Sequence, residues 1–295
     1  MNTQRDAAIK IALDDVRARC DMNARREADP VGFVHRYTAA RDQELVALLA
    51  SSVAFGNVKS IRAKLEDALA RIGPSPTRAA DDPEGLFKRL EGWIHRVYRG
   101  EDIARLLIGA RTVQKHKENK GGTLGTRFAT ELKRTGDLRE ALAAFCDAIR
   151  EEGGFSKSSK RRGPAHLLPD PRGASGSKRL LLFLRWMVRP ADGVDLGLWD
   201  VDTRHLLCPV DTHIHKLSRN LGLTRRNDLS WKTAVEITEG LARFDPRDPA
   251  KYDFSLCHMG MLQRCPSRKD AKRCEGCGVK PVCRHWPSRK NPRAK

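Results

Sequence analysis

Four cysteines crowd together near the end of the chain with the spacing Cys265-x8-Cys274-x2-Cys277-x5-Cys283. A thiolate pair two residues apart, flanked by two more thiols, wraps one tetrahedral zinc ion or one 4Fe-4S cluster, and spacing alone does not separate them. Cys20, Cys146, Cys208 and Cys257 sit in apolar or helical surroundings and read as small buried hydrophobes. A lysine and an aspartate form a second set. Lys178 follows Gly173-Ala174-Ser175-Gly176-Ser177 and starts an apolar helix. An unperturbed lysine is neutral, and so nucleophilic, only roughly once in 2,500 at pH 7; a helix N-terminus, the adjacent Arg179 and desolvation by a bound substrate all lower its pKa. Lys178 reads equally well as a phosphate contact, because Lys178, Arg185 and Arg189 share one helix face opposite Leu180, Phe183, Leu184 and Met187. Asp211 opens another helix. There it is either an ordinary N-cap or a preorganised carboxylate that stabilises positive charge developing in a reaction.

The elements that must carry these groups are helical. Val210, Ile214, Leu217 and Leu221 step by four, three and four, which puts a helix after Asp211 and ends it at Gly222. Ile61, Leu65, Leu69 and Ile72 lie on one face of a helix capped by Asn57 and ended by Gly73-Pro74. Asp82-Pro83 opens the next by the same logic, Asp137 caps a helix over 138–151, and Ser230 caps one over 231–243. A last helix ends near Gly260. No stretch shows the alternation of a half-buried strand, so the class is all-α. Residues 114–126 and 153–177, rich in Gly, Ser, Pro and cations, read as long surface loops.

Charge narrows the partners. Among 295 residues, 56 Lys+Arg against 37 Asp+Glu leave a formal charge of +19, which points to a polyanion: nucleic acid first, an anionic membrane surface second. A hydrophobic content of 40% excludes disorder throughout. No apolar run approaches the roughly 18 residues that span a bilayer, and the N-terminus lacks the apolar core and cleavage site of a secretory signal. The expectation is a cytoplasmic, nucleoid-associated monomer that does not enter a membrane.

Pro209-Val210-Asp211-Thr212-His213-Ile214-His215, taken with the cysteine run, resembles the helix-hairpin-helix (HhH-GPD) DNA glycosylase superfamily, in its endonuclease III and MutY iron–sulfur branch. The stretches 48–61 (LLASSVAFGNVKSI) and 178–189 (KRLLLFLRWMVR) further resemble an uncharacterised bacterial family within that superfamily, and the likeness spans roughly residues 41–295. The resemblance implies that Asp211 of the VDTH segment is catalytic. It implies that Cys265, Cys274, Cys277 and Cys283 hold a 4Fe-4S cluster, although the first gap is two residues longer than in that branch. It also implies that Lys178 matches the Schiff-base lysine of lyase-competent members. The hairpin turn, usually LPGxG-like, stands here as Leu168-Pro169-Asp170-Pro171-Arg172-Gly173. The Lys178-to-Asp211 separation of 33 residues is similar to that of archaeal 8-oxoguanine glycosylases. The insertion 190–208 contributes Trp199 either to a base pocket or to the core.

The expected architecture is a two-lobed helix-hairpin-helix glycosylase-like fold with a C-terminal cysteine-cluster loop. Residues 38–200 form a helical barrel domain, and residues 1–37 with 201–295 form a cluster lobe. Lys178 and Asp211 are expected to face each other across a cleft flanked by Arg204, His213 and His215, to which no catalytic role is assigned. The expected function is a base-excision-repair DNA glycosylase with abasic-site lyase activity on a damaged base in duplex DNA, an oxidised base being one candidate. Lys157, Lys160, Arg161, Arg162, Arg179, Arg185 and the tail 284–295 would contact DNA. The alternative is a non-catalytic nucleic-acid-binding protein that keeps the fold and metal; a zinc-stabilised adaptor is a third reading.

Overall fold

A computed structural model of the chain describes residues 3–155 and 161–286. In chain order the helices are α1 (Thr3–Ala18), α2 (Met22–Ala28), α3 (Val31–Val34), α4 (Ala40–Val53), α5 (Val58–Ile72), α6 (Pro76–Ala80) and α7 (Pro83–Leu90). A hairpin of β1 (Ile94–His95) and β2 (Tyr98–Arg99) follows. Then come α8 (Gly100–Lys115), α9 (Leu124–Thr135), α10 (Leu138–Glu152), α11 (Arg162–Leu167) and α12 (Lys178–Val188). The last three are α13 (Thr212–Leu221), α14 (Trp231–Ala242) and α15 (Asp253–Leu262). The protein is mostly helical, and none of these helices is long and apolar enough to cross a membrane.

The expected caps are formed. Asn57 accepts from Lys59 N and Ser60 N, Asp82 from Gly85 N, Asp137 from Glu140 N and Ser230 from Thr233 N, each satisfying donors that a helix start leaves unpaired. The stretch 153–177 is not loop throughout, since α11 folds within it. The two-residue strands of the hairpin are too short to show as sustained alternation and leave the class all-α.

The chain forms two compact units, residues 26–201 and residues 1–25 with 202–295. The N-terminal boundary lies earlier than the expected 37/38, because α3 buries Val31, Phe33 and Val34 and packs on α4. In the unit of residues 26–201, α4 is buried on nearly every face and serves as the central helix, packed by α3, α8 and α12. Its Glu44, 1% exposed, accepts hydrogen bonds from Gln114 Nε2 (2.7 Å), Leu124 N (2.8 Å), Gly125 N (3.0 Å) and Trp199 Nε1 (2.7 Å). One carboxylate thereby ties α8, the start of α9 and the 190–201 segment to α4. Burial pushes its pKa up, against the pull of those four donors. Trp199 is core filler and not part of a base pocket: it is 4% exposed and stacks on Phe128 at 5.6 Å. A Cβ at Gly125 would lie 2.4 Å from its ring, so only glycine lets the indole reach Glu44.

In the other unit, α15 packs on α13 and α1. A Cβ on Gly260 would already sit 3.0 Å from Leu217 Cδ1 and 3.3 Å from His213 Cβ, so α15 runs close against α13. The segment after α15 is fastened to the same helices. Arg284 N donates to Asn220 O (2.9 Å), and the Arg5 guanidinium of α1 donates to Leu221 O and Val282 O (3.3 Å each).

Candidate active site and cysteine cluster

Asp211 is the N-cap of α13, as its position implies. Its Oδ1 accepts from His213 N (2.9 Å) and Ile214 N (2.8 Å), while Oδ2 accepts the thiol hydrogen of Cys257 on α15 at 3.3 Å. Both oxygens are therefore held and the half-buried carboxylate has one orientation. Cys257, a small buried hydrophobe by its sequence context, is half-buried and lies 46 residues from its partner, and only the approach of α15 to α13 brings them together. His215 Nε2 bonds to Arg226 O (3.0 Å) and exposed Arg204 pairs with Asp202.

Lys178, in the other unit, is the first residue of α12 and is half-buried. The preceding Ser177 adopts left-handed backbone angles (φ 49°, ψ 32°) that a side chain disfavours. No side chain caps α12, and the buried Ser177 Oγ has no hydrogen-bond partner among the described residues. A lysine amine thus stands at a helix start whose N–H groups lack a side-chain acceptor, a setting suited to an anionic or electron-rich ligand. The turn before it differs. Arg172 N is bonded to Asp170 Oδ1 (3.0 Å) and Gly173 N to Asp170 O (3.1 Å), while Arg139 binds the carbonyls of Pro171 and Gly173 (2.8 Å each). Those two turn N–H groups are spent within the protein.

The expected DNA contacts divide. Arg185 is not a phosphate contact: it is 0% exposed and paired with equally buried Asp195 at 3.0 Å, which Arg189 and Asp192 also join. The face assigned to Lys178, Arg185 and Arg189 is therefore not a solvent face. Arg179 is also turned inward, donating to Ser52 O, His166 O and Tyr98 Oη (2.6 Å). Arg161 pairs with Glu101 (3.0 Å) and with buried Asp102. Arg162 is exposed. Lys157, Lys160 and tail residues 287–295 lie outside the described residues.

Around Arg179 stands a polar network that sequence reasoning missed, because its members come from separate segments. Tyr98 Oη lies 2.6 Å from His166 Nδ1. Burial, then the charges of Arg179, Arg162 and Arg96, push the His166 pKa down to about 4 and keep the ring neutral near pH 7. With Arg179 donating to Tyr98 Oη, the phenol hydrogen is left for His166 Nδ1 in preference to the more distant Ser52 O (3.3 Å).

The four C-terminal cysteines are free thiols. Burial, and then the neighbouring thiols, push Cys265 up; burial leads also for Cys277 and Cys283, each of which feels Cys274. Backbone N–H groups of Val279 and Lys280 donate to Cys277, that of His285 donates to Cys283, and Asn220 Nδ2 donates to Cys265 Sγ at 3.7 Å. Among the described residues, no three His, Cys, Asp or Glu side chains are gathered as they would be around a single metal ion. The N–H donors aimed at these sulfurs stabilise sulfur-borne negative charge.

The sequence pattern of a family described as a protein of unknown function, DUF2400, matches residues 29–262, a stretch that holds Lys178, Asp211 and Cys257 and stops short of Cys265. No curated protein and no solved structure matches the chain. A match over most of the chain shows membership: the protein belongs to the DUF2400 family, whose function is unknown.

Proposed function

We propose that the protein is a DNA glycosylase with abasic-site lyase activity. The observation that carries this reading is the double fixing of Asp211, two N–H donors on Oδ1 and a thiol on Oδ2, which holds the carboxylate in one orientation, as stabilising a cationic sugar requires. In this reading Lys178 Nζ, as the free amine, attacks C1′ while the base departs with the electron pair of the N-glycosidic bond and takes up a proton. The attached amine then loses a proton, and its lone pair expels O4′ from C1′, so the sugar ring opens, the ring oxygen is protonated and a protonated Schiff base forms. Loss of a C2′ proton to a base then drives β-elimination, which breaks the C3′–O bond and releases the 3′ phosphate. The HhH-GPD resemblance and the charge of +19 support the assignment, with damaged duplex DNA as the proposed substrate. Cys265, Cys274, Cys277 and Cys283 would hold a 4Fe-4S cluster, which when bound supplies a covalent brace for the C-terminal segment.

A screen of the full chain against oxidised, alkylated and deaminated bases in duplex oligonucleotides tests the activity. The expected outcome is release of one base class, slowed on the order of a hundredfold or more in Asp211→Asn. One observation favours a second reading, a nucleic-acid-binding protein without chemistry: the turn N–H groups of Arg172 and Gly173 are already bonded to Asp170 and not offered to a phosphate. Tight, salt-sensitive binding with no base released from any substrate decides for it.

A further inference from the structure

Four large apolar side chains of the 26–201 unit stand out into solvent: Phe55 (40% exposed), Val58 (43%), Ile94 (55%) and Val97 (39%). All four fall on two short connectors that touch each other. Phe55 lies between α4 and α5, and Val58 is the first residue of α5; Ile94 and Val97 lie on the hairpin, whose β1 packs on α5. The connectors meet where the Arg96 guanidinium lies 4.5 Å from the Phe55 ring centroid. His166 meets the same ring edge-on at 4.9 Å and, being neutral, behaves there as another aromatic.

The hairpin accepts strain to place that arginine. Its register pairs His95 with Tyr98, so Arg96 and Val97 form a two-residue turn, and Arg96 sits at φ 57°. The first central position of such a turn favours glycine, and a side chain there has a conformational cost. Ionic character selects the partner. Residues 54–60 and 93–99 contain no acidic side chain, and Lys59, Arg96, Arg99 and nearby Arg162 are exposed cations. An acidic backbone that carries flat apolar rings satisfies both features at once.

We infer that Phe55, Arg96 and Val97 form a stacking platform for unpaired nucleobases, so that the protein prefers nucleic acid with locally opened base pairs over an intact duplex. Stacking on an aromatic ring backed by arginine tolerates any base, since every base has a π-face. The platform rests only on the nucleic-acid-binding part of the proposed function. Binding is measured without turnover, so a protein that excises nothing still tests it.

Fluorescence anisotropy of the full chain with a duplex and with the same sequence carrying a short unpaired bubble is the experiment. The expected result is bubble binding roughly tenfold tighter than duplex binding. Phe55→Ala removes that preference while duplex affinity and its salt dependence stay unchanged, and Phe55→Trp keeps it. Arg96→Gly, which relieves the turn, leaves the thermal midpoint equal or higher and still weakens bubble binding. Equal affinity of the native protein for both substrates overturns the inference, as does an undiminished preference in Phe55→Ala. Loss of self-association in Phe55→Ala, without a bubble preference in the native chain, assigns the patch to protein contact and also overturns it.

Discussion

Cys257 on α15 donates its thiol hydrogen to Oδ2 of Asp211 across 3.3 Å, so the free oxygen of a helix-capping carboxylate is oriented by a second helix. A thiol is a weak donor, and its value here is directional. Cys257→Ala is expected to leave folding intact and to cost the reaction about 1 kcal/mol, roughly fivefold in rate, with DNA affinity unchanged. Cys257→Ser, which restores a donor, is expected to keep the native rate. Single-turnover base release by the three proteins measures this; equal rates in all three would mean that the thiol does not orient the carboxylate.

Glu44 is the internal tie of its unit. Glu44→Gln turns an amide group toward donors from Gln114, Leu124, Gly125 and Trp199 and leaves at least one of them without an acceptor. A loss of about 3 kcal/mol is expected, which lowers the thermal midpoint by roughly 6–12 °C. Trp199 fluorescence reports the same transition, because its indole nitrogen is one of the four donors.

His166 makes the unit acid-sensitive. Its folded pKa of about 4 lies below the ordinary 6.5, so the unfolded chain binds the extra proton between those values. The contribution is whole above pH 6.5 and is lost as pH falls toward 4. His166→Asn keeps an acceptor for the Tyr98 hydroxyl and removes the titration. Its stability curve is therefore expected to be flatter than the native one between pH 6.5 and 4, as followed by chemical denaturation.

The cysteine cluster has a direct readout. Protein purified without oxygen is expected to be brown, with a broad visible absorption and about four iron atoms per chain. Cys277→Ser is expected to lose the colour and to loosen the segment that Arg284 and Arg5 fasten to α13. A colourless protein with stoichiometric zinc would assign the thiols to a single ion instead.

Local chemistry was legible in the sequence where one residue acts on its own neighbours. Asn57, Asp82, Asp137, Asp211 and Ser230 cap helices because each needs only the N–H groups two or three places ahead. What escaped depends on distant segments meeting. Arg185 read as a phosphate ligand because its helix is cationic on that face, yet Asp195, in the segment after the helix, returns to pair with it in the interior. Trp199 and Glu44 are 155 positions apart, and neither alone shows that they bond. Short hairpins escape for another reason: four strand residues are too few for a period to register.

Borohydride trapping on duplex DNA carrying an abasic site tests the amine most directly. The native protein is expected to yield a reduced covalent adduct, Asp211→Asn a weaker one, and Lys178→Ala none. An adduct of native strength from Lys178→Ala would contradict the assignment of Lys178 as the nucleophile.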